Sequence, residues 1–431
     1  MGSLFSLIKE LSILSTKGKD QEIDALYFDS RQAKIGSMFF AIPGTQVDGH
    51  QFLDQVYAQG CKAWLVQDIP TNIPDDVTCI QVADSNAALA EVSCAFYDHP
   101  SSKLNLIGIT GTNGKTTSVT LLFELFKKLG HRCGLISTVQ NMIQDRVIPA
   151  THTTPDALNL NRLLAEMLSN GCSHVFMEVS SHAVVQKRIH GLQFKGAIFS
   201  NITRDHLDFH ETFDEYIKAK KGFFDALPET AFALTNQDDK RGQIMLQNTK
   251  AKKYSYGILN SSDFKAKIIS NGVGGLQVEF DGQVIHAQLI GTFNAYNLLA
   301  IYSTAILLGE DKEEVLLQMS ALKTATGRFD QLAGPNHKMG IVDYAHTPDA
   351  VTRTLATLRK SCSGRIIGVL GCGGDRDKGR IAPAQERNAE RGENQSHGRC
   401  ARRQTATGAA RYCRTHRLYD GQRRRTRAHR L

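Results

Sequence analysis

The sequence predicts an α/β protein with a mostly parallel central sheet and smaller domains before and after it. Three observations carry this reading. Leu106 to Gly130, "LIGITGTNGKTTSVTLLFELFKKLG", reads as a buried strand, a glycine-rich turn and an amphipathic helix. Strand-like and helix-like segments then alternate to about residue 325, the pattern of a sheet with helical crossovers. Beyond it a second unit, "MGIVDYAHTPDAVTRTLATLRKSCSGRIIGVLGCGGDRDKGR", repeats strand, helix, strand and glycine turn.

Taken in order, residues 1–85 hold short strands and a helix punctuated by Gly and Pro. The opening "MGSLFSLIKELSIL" lacks the basic flank and cleavage site of a signal peptide and reads as an amphipathic helix. Gly2 and Ser6 fit a loose myristoylation pattern that the helix reading makes unnecessary. Residues 86–325 supply "LNLIGIT", "HVFMEVS", "GAIFSNI" and "TAFALTN" as strands apolar on both faces. A polar, strand-rich insert is expected at "KYSYGILNSSDFKAKIISNGVGGLQVEFDGQVIHAQLIG", followed by a helix over "NAYNLLAIYSTAILLG". Residues 326–383 begin like a Rossmann unit and stop short of completing one. After Ala382 apolar periodicity vanishes, and residues 384–431 read as an Arg-rich, disordered tail.

Composition excludes several classes. At 431 residues, 41% hydrophobic and 22% charged, the chain is an ordinary globular protein long enough for two or three domains. No uncharged apolar run approaches the roughly 18 residues that span a bilayer. Nine cysteines without a C-x-x-C pair indicate reduced thiols and a cytoplasmic protein. The net charge of +8 is misleading. Residues 384–431 carry thirteen Arg against three Glu and one Asp, a net of +9, which leaves −1 for everything before them. The body is neutral.

The loop Gly111, Thr112, Asn113, Gly114, Lys115, Thr116 and Thr117 lies between strand and helix, where backbone N–H groups and the helix dipole converge on a phosphate. Ile109 stands where the general P-loop pattern has its first Gly, so the match is partial. Lys115 is placed to reach β/γ-phosphates and Thr116 to help hold Mg²⁺. Glu178 closes a buried strand as a hard ligand for Mg²⁺, directly or through water. His182 needs no role beyond that of a satisfied polar residue. Asp205, His206, Asp208 and His210 cluster after the next strand. The set suggests zinc, but a phosphate loop nearby favours Mg²⁺, with one or two of them as ligands.

These segments carry a resemblance. "GTNGKTT", "HTTPD", "EVSSHAVVQKR", "SNITRDHLDFH" and "YIKAKKGFF", in this order, resemble the Mur ligases, as do "GTFNAYN", "TGRFD", "DYAHTPDA" and "GCGGDRDKG". "FDSR" and "GTQVDGH" narrow the likeness to the branch that adds the third amino acid to the peptidoglycan precursor. The resemblance runs from about residue 25 to about 380. It implies the three-domain architecture of that family around a P-loop-type sheet, and an ATP- and Mg²⁺-dependent ligase that makes an amide through an acyl phosphate. Its substrates would be UDP-N-acetylmuramoyl-dipeptide and a free amino acid, diaminopimelate before lysine.

By the same resemblance, Gly111 to Thr117 would cradle ATP, and Asn294, Asn297 and Arg328 would contact the nucleotide. Ser30, Thr45, Gln46 and Val47 would receive the UDP end of the substrate. Thr153, Thr154, Ser180, Gln186 and Arg188 would hold its muramoyl-dipeptide, and Arg376 the incoming amino acid. Thr116, Glu178 and His206 would organise Mg²⁺. Lys220 would be a carbamate, an anion made from a cation by CO₂; without the resemblance it is an ordinary helix-surface lysine. No nucleic acid or membrane partner is expected, and the protein is expected to be a monomer.

Two rivals and one anomaly remain. Folylpolyglutamate synthase shares the phosphate loop. A nucleic-acid-binding protein is suggested by the basic tail, where His397, Cys400, Cys413 and His416 superficially pair as zinc ligands without an apolar core around them. The anomaly is the composition break itself. It has the look of a shifted reading frame, the family's "DNPR"-type selector is absent, and the chain is short for the family. Ligation by this chain is therefore expected to be weak.

Overall fold

The computed structural model describes residues 2–369, apart from 45–46, 206, 273, 324–326, 336–337, 346–347 and 363. His206, Thr45, Gln46, Arg376 and the whole basic tail lie outside the described residues.

The centre is an eleven-stranded sheet. In space it runs Arg146–Pro149, Gln140–Ile143, Cys133–Ile136, His174–Glu178, Asn105–Thr110, Gly196–Phe199, Phe232–Asn236, Lys252–Gly257, Phe264–Gly272, Gly275–Phe280 and Gln283–Ala287. The seven strands from Cys133–Ile136 to Phe264–Gly272 are parallel, and antiparallel hairpins close both edges.

Alternation along the central strands explains why they read as continuous apolar runs. Leu106, Val175, Met177, Ala197 and Phe199 face one core, while Ile107, Ile109, Phe176 and Ile198 face the other. Helices cover both faces, which is the condition for a parallel sheet. Lys115–Lys128 and Thr292–Leu307 pack on the second core, and Ala157–Ser169 and Phe213–Asp225 on the first. Gly108 is required there: a Cβ would lie 2.5 Å from the Phe223 ring.

The expected insert is not one. Lys252–Gly257 pairs in parallel with Phe232–Asn236, so the segment widens the main sheet by four strands. It looked polar because an edge hairpin exposes one face to water.

Before this sheet lies a five-stranded one, ordered Ile13–Lys17, Thr78–Val82, Ala63–Val66, Ser37–Phe40 and Ala25–Tyr27, with the first strand antiparallel. Met38, Phe40, Leu65 and Ile80 fill one face, and Phe39, Trp64, Val66 and Cys79 the other. The helix expected over the opening residues is only Leu4–Leu7, capped by Ser3, before the chain turns into strand Ile13–Lys17.

After the sheet come the hairpin Asp330–Ala333 and Met339–Val342 and the helix Pro348–Ser361. The strand expected at "RIIGVL" is not formed over residues 365–369, where Ile367 and Val369 are 74% and 92% exposed. Among the described residues no helix is long and apolar enough to cross a membrane.

Candidate active site

Strand Asn105–Thr110 sits between His174–Glu178 and Gly196–Phe199, and the chain leaves it towards one side first and the other later. Such a switch point opens a crevice at the carboxyl ends of the strands. A cavity of about 550 Å³ lies there. Its lining contains Thr112 to Thr117, Thr153, Thr154, Glu178, Ser180, Arg188, Lys220, Asn294, Asn297 and Arg328.

The phosphate loop is shaped by its glycines. Gly111 has φ +149° and a Cβ there would fall 2.0 Å from Ser200 Oγ; Gly114 has φ +89° and a Cβ would meet Asn297 Oδ1 at 2.7 Å. Gly114 is the N-cap of helix Lys115–Lys128 and offers no side-chain cap, and the helix's first residues, Lys115 to Thr117, line the cavity, the place where a helix N-terminus favours an anion. Lys115 Nζ folds back to donate to Gly111 O at 2.8 Å and Thr112 O at 3.0 Å. Burial, above all, lowers its pKa; Glu178 and Asp205 act against the shift and Arg328 adds to it.

Glu178 is 1% exposed, and one oxygen, Oε1, collects three donors. They are Thr116 Oγ1 at 2.9 Å, Thr138 N at 2.7 Å and Thr138 Oγ1 at 3.0 Å. Thr116 Oγ1 in turn accepts from Arg328 Nη2 at 2.9 Å, and the Arg328 guanidinium lies 4.5 Å from the Tyr344 ring centroid. A hydroxyl and a carboxylate this close are a hard-oxygen pair suited to Mg²⁺ rather than to a soft metal.

The "HTTPD" segment is fixed to the same strand end. Thr154 Oγ1 donates to Glu178 O at 2.8 Å and accepts from Ser180 N at 3.1 Å, and Arg188 Nη1 donates to Thr154 O at 2.7 Å. The Thr153 and Thr138 hydroxyl oxygens lie 3.1 Å apart. Asn297 Nδ2 donates to Asn294 Oδ1 at 3.0 Å, and Ser118 Oγ donates to Asn297 Oδ1 at 3.3 Å, holding that helix against the loop.

Lys220 is 1% exposed, so the helix-surface reading fails. Its Nζ donates to Gly111 O at 3.0 Å and stands 4.6 Å from the Tyr216 ring centroid. Burial first, then the neighbouring Lys115, pushes its pKa well below the usual lysine value, against the pull of Asp205.

Among the described residues, four expected site residues lie outside the lining; one is Gly111, whose carbonyl nonetheless accepts from Lys115. Ser30 is buried beside Gln55 in the turn after strand Ala25–Tyr27, Val47 is half-exposed, and Gln186 caps the short helix Ser181–Val185. Thr138, Asn201, Tyr216, Asp238 and Tyr296 line the cavity without having been singled out. For Thr138 the only sequence signal was its place just after strand Cys133–Ile136.

Comparison with known proteins decides the family. The chain matches the Mur ligase middle domain over residues 109–305, the Mur ligase family catalytic domain over 22–97 and the Mur ligase glutamate ligase domain over 327–411. A relative from Cytophaga hutchinsonii is 56% identical over 374 residues, 86% of this chain and 77% of the relative. The chain belongs to the Mur ligase family. That relative is named UDP-N-acetylmuramoyl-L-alanyl-D-glutamate--2,6-diaminopimelate ligase, as is one from Phocaeicola vulgatus that is 48% identical over 88% of this chain and 78% of its own. A solved structure titled with the same enzyme name superposes with a TM-score of 0.69 at 27% identity, covering 86% of this chain and 77% of that one. The three-domain Mur ligase architecture is therefore the fold of this chain.

Proposed function

We propose that this Mur ligase uses ATP to activate the free carboxylate of UDP-N-acetylmuramoyl-L-alanyl-D-glutamate and joins it to diaminopimelate. The observation that carries the reading is the meeting of the phosphate loop and the "HTTPD" segment on one residue, Glu178: Thr116 donates to its side-chain Oε1, with Thr138 beside it, and Thr154 donates to its backbone O. Nucleotide and acceptor would thereby share one cavity. The names of the relatives support the substrate and the choice of diaminopimelate.

In this reading Lys115 swings from Gly111 O to the β/γ-phosphates, and the loop amides and the helix dipole bind the same charge. Thr116, Glu178 and His206 would hold Mg²⁺, which neutralises phosphate charge when bound. The substrate carboxylate attacks the γ-phosphorus, ADP leaves, and an acyl phosphate forms. The amine of diaminopimelate then attacks the acyl carbon and phosphate departs. Arg188, through Thr154, positions the acceptor, and Asn294, Asn297 and Arg328 position the nucleotide. Ser30 and Thr45 to Val47 would take the uridine end. Lys220, as a carbamate, would add negative charge on the metal side of the loop.

Calorimetric titration with ADP and with UDP-N-acetylmuramoyl-L-alanyl-D-glutamate tests this. Binding of both is expected, with Lys115→Ala weakening only the nucleotide. Failure to bind the UDP substrate would remove the reading.

A further inference from the structure

At the opposite ends of the parallel strands from the cavity, His131, His174 and Glu310 bring one ligating atom each to within 4.8 Å of one another. His174 begins the strand that Glu178 ends. His131 and Glu310 occupy matching places after the helices Lys115–Lys128 and Thr292–Leu307. Each helix stops at a left-handed glycine, Gly130 and Gly309, both at φ +92°. The next residue is locked by its backbone: His131 N donates to Phe126 O at 2.9 Å and Glu310 N to Ala305 O at 3.1 Å. These are glycine C-caps that fix the residue beyond them.

The two ends converge. His131 Nε2 lies 2.9 Å from Glu310 Oε1, and the imidazole centroids of His131 and His174 are 4.5 Å apart. Phe126 walls the group with its centroid 4.9 Å from His174 and 5.5 Å from His131. Around His174 the hydrogen bonds fix the tautomer. Asn105 Nδ2, a donor only, is 3.0 Å from Nε2, so Nε2 accepts and Nδ1–H faces Ser173 Oγ at 2.9 Å. A lone pair on one nitrogen and an anchored N–H on the other is the arrangement of a metal-bound imidazole. The negative ends of two helix dipoles, together with Glu310, favour a cation at this point.

We propose that His131, His174 and Glu310 form a Zn²⁺ site with water in the fourth position. Two imidazoles and a carboxylate suit zinc and are poor ligands for Mg²⁺, which separates this site from the hard-oxygen pair in the cavity. Binding draws the three atoms together from their 4.8 Å span and takes Nε2 of His174 from Asn105. Cys133 is no ligand here. Its thiol donates to His131 O at 3.6 Å, and burial pushes its pKa up to about 12. The ion would tie together the far ends of the two helices whose N-terminal two turns carry Lys115 to Thr117 and Asn294 with Asn297. It would thus brace the nucleotide site from behind.

The test uses the full chain, stripped by chelation and held in excess Mg²⁺, titrated with Co²⁺ and then Zn²⁺. We expect one equivalent of Co²⁺ with the visible bands of nitrogen and oxygen ligation, displaced by Zn²⁺. His131→Ala and Glu310→Gln should each weaken binding by about tenfold or more. Zn²⁺ should raise the Tm of the parent chain and of neither variant. Absence of binding, a thiolate charge-transfer band, or variants that bind like the parent would each overturn the proposal.

Discussion

Lys115 and Lys220 donate to the same acceptor, Gly111 O, at 2.8 and 3.0 Å. Two ammonium groups on one carbonyl in a buried site repel each other, and burial penalises both charges. Lys220, the more deeply enclosed, is the one driven towards the neutral amine. A neutral amine is the form that adds CO₂, losing a proton to give a carbamate anion.

Lys220→Ala should therefore reduce nucleotide-dependent turnover by about a hundredfold or more. Short-chain carboxylic acids should restore part of it by supplying the lost anion. A variant with parental activity would remove the carbamate role.

Lys115→Ala should cut the phosphoryl-transfer step by about a hundredfold or more, equivalent to about 3 kcal/mol. Affinity for the UDP substrate should hold, because Thr154, Ser180 and Arg188 hydrogen-bond among themselves and Glu178 without it. Phosphate release at the parental rate would show the loop assignment to be wrong.

Gly111→Ala should lower stability by about 2 kcal/mol or more, since the new Cβ meets Ser200 Oγ at 2.0 Å and Asn201 O at 2.9 Å. Gly130→Ala supplies the control. It has φ +92° but nothing within 4 Å, so only the backbone cost of about 1 kcal/mol applies. Equal losses in chemical denaturation would contradict the steric argument.

The loop and its helix were legible because their chemistry is local: glycines, Lys115 and Thr116 are contiguous. The alternating apolar strands were legible for the same reason. What was not legible depends on tertiary pairing. The burial of Lys220 arises from packing of helix Phe213–Asp225 under the loop, and the polar strands Phe264–Gly272 to Gln283–Ala287 join the sheet only through register. Thr138 reaches Glu178 because neighbouring strands end level, a relation that sequence spacing does not encode.

His174 gives a pH signature. Burial first, then His131 beside it, lowers its pKa from 6.5 to about 4. Above 6.5 its contribution to stability is fully present; as pH falls from 6.5 towards 4 the unfolded chain takes up a proton that the folded chain refuses, and the contribution is lost. The loss is at most about 3 kcal/mol. In the metal-free protein the stability difference between the parent and His174→Gln should shrink between about pH 7 and about pH 4.5 in urea denaturation. A constant difference would contradict it.

Acyl phosphate formation is reversible and needs no amine, so it isolates the chemistry assigned to Lys115, Thr116 and Glu178. The measurement is transfer of label from ADP into ATP by the full chain, with UDP-N-acetylmuramoyl-L-alanyl-D-glutamate present or omitted. Exchange that requires the UDP substrate and disappears in Lys115→Ala is the expected result. Exchange that proceeds without that substrate, or that survives in Lys115→Ala, would contradict the assignment of this cavity.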